Sequence, residues 1–162
     1  MTPPVIIDIE ASGFGKDSYP IEIGFVLESG STWCSLIQPE YEWQHWDERA
    51  EKLHHITRDI LLECGKAASL VAQKLNDHLM NKSVYSDSWV HDFIWMSRLF
   101  DAAGTSAHFR FKDIREILTI QQQIMWHQTR AQVESELDFN RHRASADARV
   151  IQLTWLRTLS DG

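Results

Sequence analysis

Cysteine is scarce in this chain, and long apolar runs, internal repeats and low-complexity tracts are missing from it. The two cysteines, Cys34 and Cys64, lack the spacing of a metal site, so we expect reduced structural thiols and no disulfide framework. No stretch approaches the length of a membrane-spanning helix. A chain of 162 residues with 43% apolar side chains and no linker is expected to form one domain over residues 1–162.

Basic residues are outnumbered by acidic residues. The formal net charge of -7 argues against a broad basic face that grips long duplex nucleic acid, whereas a small, metal-neutralised site for a chain end is compatible with it. Residues 1–4 lead straight into a strand-like run, without the basic and apolar regions of a secretory signal. We therefore expect a cytoplasmic protein without a membrane partner.

The patterns that are present predict β-rich runs first and alternating helices and strands later. The predicted strands are 5–9, 21–27, 31–38, 82–86 and 109–111. The predicted helices are short turns at 47–54 and 58–64 and longer segments at 66–80, 93–104, 114–120, 121–137 and 143–159. This order predicts an α/β fold with one mixed five-stranded sheet, a three-stranded antiparallel meander plus parallel strands, flanked by helices.

An acidic pair marks the first predicted strand. Asp8 interrupts the apolar run 5–9 and Glu10 follows two residues later, so both side chains point to the same side of a strand. A buried charge needs a partner, and carboxylate oxygens are ligands that Mg²⁺ prefers. The pair therefore predicts a site for one or two divalent cations, and its alternative is two ordinary acids at a strand end.

Two further acidic segments lie at the edges of predicted elements. Asp87 ends the fourth predicted strand, a position that favours an N-cap, and Asp92 follows five residues later. Near the C-terminus, His142 precedes Asp147 by five residues. Five residues of ideal helix rotate a side chain by about 140°, so we expect His142 on the preceding loop. A histidine titrates near neutrality and suits proton transfer.

Together the three segments resemble the motifs of the DEDDh 3′-5′ exonucleases of the ribonuclease H-like superfamily. The resemblance runs from Asp8 to the last helix and implies a ribonuclease H-like sheet. It implies a general base, His142, and two divalent cations, Mg²⁺ or Mn²⁺. The metal ligands that it implies are Asp8, Glu10, Asp92 and Asp147.

Two aspartates of the second motif could serve as its metal ligand. Asp92 is assigned as the ligand because residues 93–96 continue like the helix of the family. Asp87 stands where the family often has asparagine, and the spacing from Asp87 to Asp92 is one residue longer than the commonest form. Whether Asp87 assists or replaces Asp92 is left open.

The resemblance also implies a substrate groove. Phe14 corresponds to the apolar residue that packs beside the terminal base, and its alternative is hydrophobic packing between loop and helix. His55 stands where many members of the family have glycine. The substrate-binding residues that the resemblance implies are Ala11, Ser12, Gly13, Phe14, His54 and Ile56.

The implied activity is a metal-dependent 3′-5′ exonuclease that releases nucleoside 5′-monophosphates. Its partners would be the 3′ ends of single-stranded or short nucleic acid, and a homodimer is compatible with the resemblance. No segment identifies a reader of the 2′-hydroxyl, so the choice between DNA and RNA stays open. The alternative is a catalytically silent module of the same fold that binds nucleic acid or protein.

Overall fold

Five strands build the sheet in the computed structural model, which describes residues 1–137 and 143–160. The strands are β1 Val5–Ala11, β2 Pro20–Val26, β3 Thr32–Leu36, β4 Ser83–Ser86 and β5 Arg110–Asp113. Their order across the sheet is β3-β2-β1-β4-β5. The first three strands pair antiparallel, whereas β4 runs parallel to both β1 and β5. The predicted mixed five-stranded sheet is confirmed.

Helices cover both faces of this sheet. They are α1 Glu48–His54, α2 Arg58–Cys64, α3 Ala68–Leu79, α4 Trp89–Ala103, α5 Ile120–Glu136 and α6 Ala144–Ser160. Two predicted helices differ clearly from the observed ones. α4 begins at Trp89, before the apolar series from residue 93 on which the helix was predicted, and residues 114–119 form only a 3₁₀ turn, Ile114–Ile117, followed by a break. Thr119 causes the break, because it forms a reciprocal capping box with Gln122 and so starts α5.

The alternation of side chains along β1 divides the interior into two cores. Ile7 and Ile9 belong to the core under α3 and α4, together with Leu75 and Leu99. Ile6 belongs to the opposite core, which α5 and α6 cover. Because side chains two residues apart share one face of a strand, Asp8 and Glu10 lie on the α6 side with Ile6.

The pairing of β2 with β1 places two more residues on the side of the sheet that α6 covers. Asp8 pairs with Gly24 and Glu10 pairs with Glu22, so these two residues of β2 also face α6. Gly24 has no side chain to separate the sheet from the helix. A Cβ built on it would collide with Ser145 N and would lie 2.7 Å from Ala144 C. The first turn of α6 therefore rests directly on β2 beside Asp8.

No helix in the two described stretches combines the length and the apolarity needed to cross a bilayer.

Candidate functional site

Three carboxylates from opposite ends of the chain converge on the α6 face of the sheet. Asp8 and Glu10 come from β1, and Asp147 comes from the first turn of α6. One carboxylate oxygen of each lies within 4.8 Å of the others. All three residues are half-buried. Several oxygen donors at such a separation suit a hard divalent cation.

Glu22 holds the start of α6 in place. Its side chain is fully buried, and its Oε1 accepts a hydrogen bond of 2.7 Å from the backbone N–H of Ala144. Its Oε2 lies 2.8 Å from a guanidinium nitrogen of Arg143, with which it forms an ion pair. Glu22 thus satisfies a free N–H at the helix start and fixes the turn that carries Asp147.

Asp92 is a fourth acid, whose charge acts on Asp8. It lies in the first turn of α4 with a side chain that is almost fully buried. Its Oδ2 accepts a hydrogen bond from Ser86 Oγ, which in turn accepts one of 3.0 Å from the Ser88 N–H. In the described part of the chain, the 4.8 Å cluster does not extend to Asp92. Ser86 therefore orients Asp92 beside the three clustered acids.

The prediction that Asp87 caps the following helix was wrong. Ser88 occupies the N-cap of α4 and makes no capping hydrogen bond with its side chain. Asp87 instead forms an ion pair with Arg130, on α5. Arg130 also pairs with Glu134 at 3.0 Å. A partner 43 residues away in the chain thus determines where the Asp87 carboxylate points.

Burial and mutual repulsion raise the pKa values of Asp8, Glu10 and Asp92. Burial raises the pKa of Asp8 well above its usual range, and the charges of Asp92, Glu10, Asp147 and Asp87 raise it further. Like charges held together in a partly dry site favour a proton or a cation between them.

The pKa values of Glu10 and Asp92 are raised as well. The pKa of Glu10 is raised to about 8, by burial first, then by the charge of Asp147, with a hydrogen bond between the two side chains among the smaller causes. The pKa of Asp92 is raised to about 7 by burial, although the hydrogen bond from Ser86 lowers it. Carboxyl groups that retain protons near neutral pH form a site that a divalent cation can enter by displacing those protons.

A cleft of about 560 Å³ opens in front of these acids. Asp8, Glu10 and Asp92 form its polar wall, and Phe14 and Trp95 contribute to its apolar wall. Phe14 is 58% exposed, which makes it available to a ligand. A smaller recess of about 90 Å³ adjoins it and is also lined by Glu10, Phe14 and Trp95.

Of the other predicted substrate-binding residues, some line this recess and others pack behind it. Ala11, Gly13 and His54 line the recess together with Glu10 and Phe14. His54 is buried, and its Nδ1 accepts a hydrogen bond of 3.1 Å from the N–H of Ile56. Because Ile56 is also buried, in the small core near β2, it supports the wall.

Ser12 lies inside the protein fold. It is fully buried, and its Oγ accepts a hydrogen bond of 3.1 Å from the N–H of Tyr19 and lies 3.2 Å from His45 Nδ1. Gly13 is required for the same packing, since a Cβ on it would lie 2.7 Å from Asp47 Cβ. These two residues close the loop after β1, and the structure places the side chain of Ser12 away from the cleft surface.

His55 is the C-cap of α1 and adopts a left-handed conformation with φ 57°. Glycine adopts this left-handed conformation without a steric penalty, which gives a physical reason for the glycine that the resemblance implies at position 55. The predicted general base, His142, lies outside the described residues, one residue before Arg143 in the chain.

Sequence reasoning missed three residues that shape the site, namely Glu22, Gly24 and Ser86. Glu22 and Gly24 carry a signal in the run Pro20–Val26, where a charge and a glycine interrupt an otherwise apolar strand at spacing two. Ser86 carries no comparable signal, because its partner Asp92 is defined only by how α4 leaves the sheet.

Comparisons with known proteins show the fold. No protein-family model matches this chain, and no curated protein matches it in sequence. The crystal structure of a full-length 3′-exonuclease is similar to it, with 17% identity, a TM-score of 0.64, and coverage of 99% of this chain and 83% of that chain.

Escherichia coli exonuclease I is similar as well. Its zinc-bound complex with single-stranded DNA aligns with a TM-score of 0.72 at 12% identity, and covers 99% of this chain and 41% of its own. Its complex with a dA16 oligonucleotide gives 0.68 at 11% identity, with coverage of 99% and 43%. This chain thus spans about two fifths of exonuclease I. The predicted ribonuclease H-like fold class is confirmed.

Proposed function

We propose that this chain is a metal-dependent 3′-5′ exonuclease of the DEDDh type. It hydrolyses the phosphodiester bond at the 3′ end of single-stranded or short nucleic acid and releases nucleoside 5′-monophosphates. The observation that carries the proposal is the convergence of Asp8, Glu10 and Asp147 within 4.8 Å, with Asp92 beside them, in a fold that exonucleases share.

The donor set fits two divalent cations, Mg²⁺ or Mn²⁺. The clustered donors are carboxylate oxygens, and burial together with the charges of neighbouring acids raises the pKa values of Asp8 and Glu10. The residues that would hold the cations are Asp8, Glu10, Asp92 and Asp147. When bound, such cations lower the pKa of an attacking water and stabilise the leaving oxygen.

The remaining roles belong to side chains around these ligands. Ser86 keeps the Asp92 carboxylate oriented, and Glu22 keeps α6 against the sheet. Phe14 offers an exposed ring against which the terminal base can stack. His142 is proposed as the general base that takes the proton of the attacking water, a role that suits a group titrating near neutrality.

The experiment that tests the proposal follows digestion of 5′-labelled single-stranded DNA and RNA oligonucleotides with Mg²⁺ or Mn²⁺. The wild-type chain is compared with Asp8→Asn and His142→Ala. Matched controls are Asp101→Asn and His108→Ala, which change exposed residues that line neither the cleft nor its recess.

The expected result is stepwise shortening from the 3′ end that requires the metal. Asp8→Asn and His142→Ala should each lower the rate by at least about 100-fold, in line with loss of a metal ligand or a general base, whereas both controls keep wild-type rates. The relative rates on DNA and RNA identify the preferred sugar. An absence of cleavage that responds to these substitutions would favour the silent binding module instead.

A further inference from the structure

A second cavity opens beside the cleft. It measures about 640 Å³ and lies between the start of α4, the 3₁₀ turn and α5. Ser88 and His91 line both this cavity and the cleft that contains the acids. We call it the α4–α5 groove. Side chains that line it include Trp89, His91, Arg115, Trp126, His127 and Arg130.

The topology of the sheet places this groove next to the carboxylates. β1, β4 and β5 run parallel, so their C-terminal ends share one edge, where α/β proteins commonly bind ligands. Ser86 pairs with Asp113 at this edge, and Arg115 follows two residues later. Neighbouring strands lie about 4.8 Å apart, so the end of β5 lies about 10 Å from β1. The groove therefore continues the cleft along the same edge.

The two cavities differ in the charges of the side chains that line them. Asp8, Glu10 and Asp92 dominate the cleft, with Lys16 as a single cationic side chain among its lining residues. The groove is lined by two arginines and one aspartate, Asp87, in addition to two histidines. Both arginines are ion-paired, Arg115 with Asp113 and Arg130 with Asp87 and Glu134, so the groove carries mixed, ion-paired charge beside the acidic cleft.

Two side chains give the groove features that suit a nucleotide strand. The Arg115 side chain is 68% exposed, and its ion pair with Asp113 holds the guanidinium in position. The Trp89 indole is half-buried and is held by a hydrogen bond of 3.3 Å from its Nε1 to Phe111 O. A positioned cation beside a fixed aromatic ring is the combination with which proteins bind single strands.

We propose that the α4–α5 groove binds the nucleotides that precede the 3′-terminal nucleotide of a single strand. A phosphate lies at Arg115 and a base packs against Trp89. This inference rests on the proposed function, because it takes the terminal nucleotide to be in the cleft. It assigns to Arg115 a role in strand binding and no role in bond cleavage.

The test compares Arg115→Ala with Arg49→Ala. The two arginines are close structural matches, since each lies two residues after an aspartate that caps a helix and forms an ion pair with that aspartate. Arg49 lies on α1 and lines neither cavity. Binding of a fluorescent eight-nucleotide single strand is followed by anisotropy over a range of salt concentrations. Both substitutions are placed in an Asp8→Asn background, so that digestion does not interfere.

The expected result is weaker binding for Arg115→Ala, with the slope of log affinity against log salt reduced by about 0.7, the signature of one lost phosphate contact on a single strand. Arg49→Ala should keep the slope of the background protein. Arg115→Lys, which retains the charge, should restore the slope. Equal affinity and slope for Arg115→Ala and Arg49→Ala would overturn the assignment of the groove to a nucleotide strand.

A second measurement separates this inference from the proposed function. Without the Asp8→Asn change, Arg115→Ala should hydrolyse the p-nitrophenyl ester of thymidine 5′-monophosphate at the wild-type rate, because this substrate has no preceding nucleotide. On oligonucleotides of three or more residues its KM should rise about tenfold, consistent with the loss of one charged contact. A proportional loss on the ester would overturn the groove assignment. Absence of ester hydrolysis in the wild-type chain would count against the proposed function, while the binding test still judges the groove.

Discussion

Without divalent cations the protein is expected to lose stability as the pH rises from 6 to 8. The pKa of Glu10 is raised from 4.5 to about 8 in the folded chain, with burial and the charge of Asp147 as the largest causes. Between these two values the folded chain binds a proton that the unfolded chain has released. The free energy of unfolding therefore falls with rising pH, and this loss is complete only above the folded pKa.

The size of the effect follows from the linkage relation. One retained proton changes the free energy of unfolding by about 1.4 kcal/mol per pH unit, which levels off as Glu10 itself ionises near pH 8. Integrated from pH 6 to pH 8, this single carboxyl contributes a loss of about 2 kcal/mol. Glu10→Gln replaces it with an uncharged group of the same shape, so this part of the pH dependence should vanish.

The assay is urea unfolding in EDTA at pH 6, 7 and 8 for the wild-type chain, Glu10→Gln and Glu28→Gln. All other titratable groups are present in both Glu10→Gln and the wild-type chain, and the difference between these variants isolates the contribution of Glu10. Glu28 is the matched control, because its pKa is lowered from 4.5, chiefly by the hydrogen bond from Lys82, and therefore stays below this range. If Glu10→Gln lost as much stability between pH 6 and 8 as the wild type, Glu10 would not retain a proton, and the conclusion that burial and the charge of Asp147 raise its pKa would be refuted.

Four further predictions concern the site and its supports. Gly24→Ala should cost about 1–3 kcal/mol in urea unfolding and weaken Mn²⁺ binding in calorimetry, because α6 must move; undiminished Mn²⁺ affinity would contradict this. Glu22→Ala should cost about 2 kcal/mol by unpairing the Ala144 N–H, whereas Glu22→Gln, which keeps an acceptor, should cost less. His55→Gly should add about 1 kcal/mol by relieving the left-handed conformation, with no gain from His55→Ala. Mn²⁺ should raise the Tm more at pH 8 than at pH 6, since it competes with fewer protons.

Local periodicity is what made the fold class predictable. The spacing of two along β1 placed Asp8 and Glu10 on one face before any tertiary contact was known, and the order of strands and helices indicated the mixed sheet. The start of α4 was less predictable. Trp89 and the two residues after it have no strong helical pattern, and Ser88, which occupies the N-cap, makes no capping hydrogen bond with its side chain, so tertiary packing determines where this helix begins.

Contacts between distant segments could not be predicted in the same way. Asp87 satisfies the local rule for an N-cap, yet Arg130 provides a stronger partner once α5 lies against the end of β4. His55 looks like one of a pair of histidines in sequence, and only the backbone of α1 reveals its left-handed conformation. Such features depend on how elements pack, and packing partners are not encoded in neighbouring residues.

The sequence by itself therefore determined the residue types and the strand period that put two acids on one face of the sheet. Only the tertiary structure decided that Asp147 joins them, because this depends on the register of β2 against β1. That register places Gly24 beside Asp8, where α6 can touch the backbone, and Glu22 beside Glu10, where it binds the first N–H of α6. Close approach and hydrogen bonding across more than 120 residues of chain are properties of the folded packing, and no local pattern specifies them.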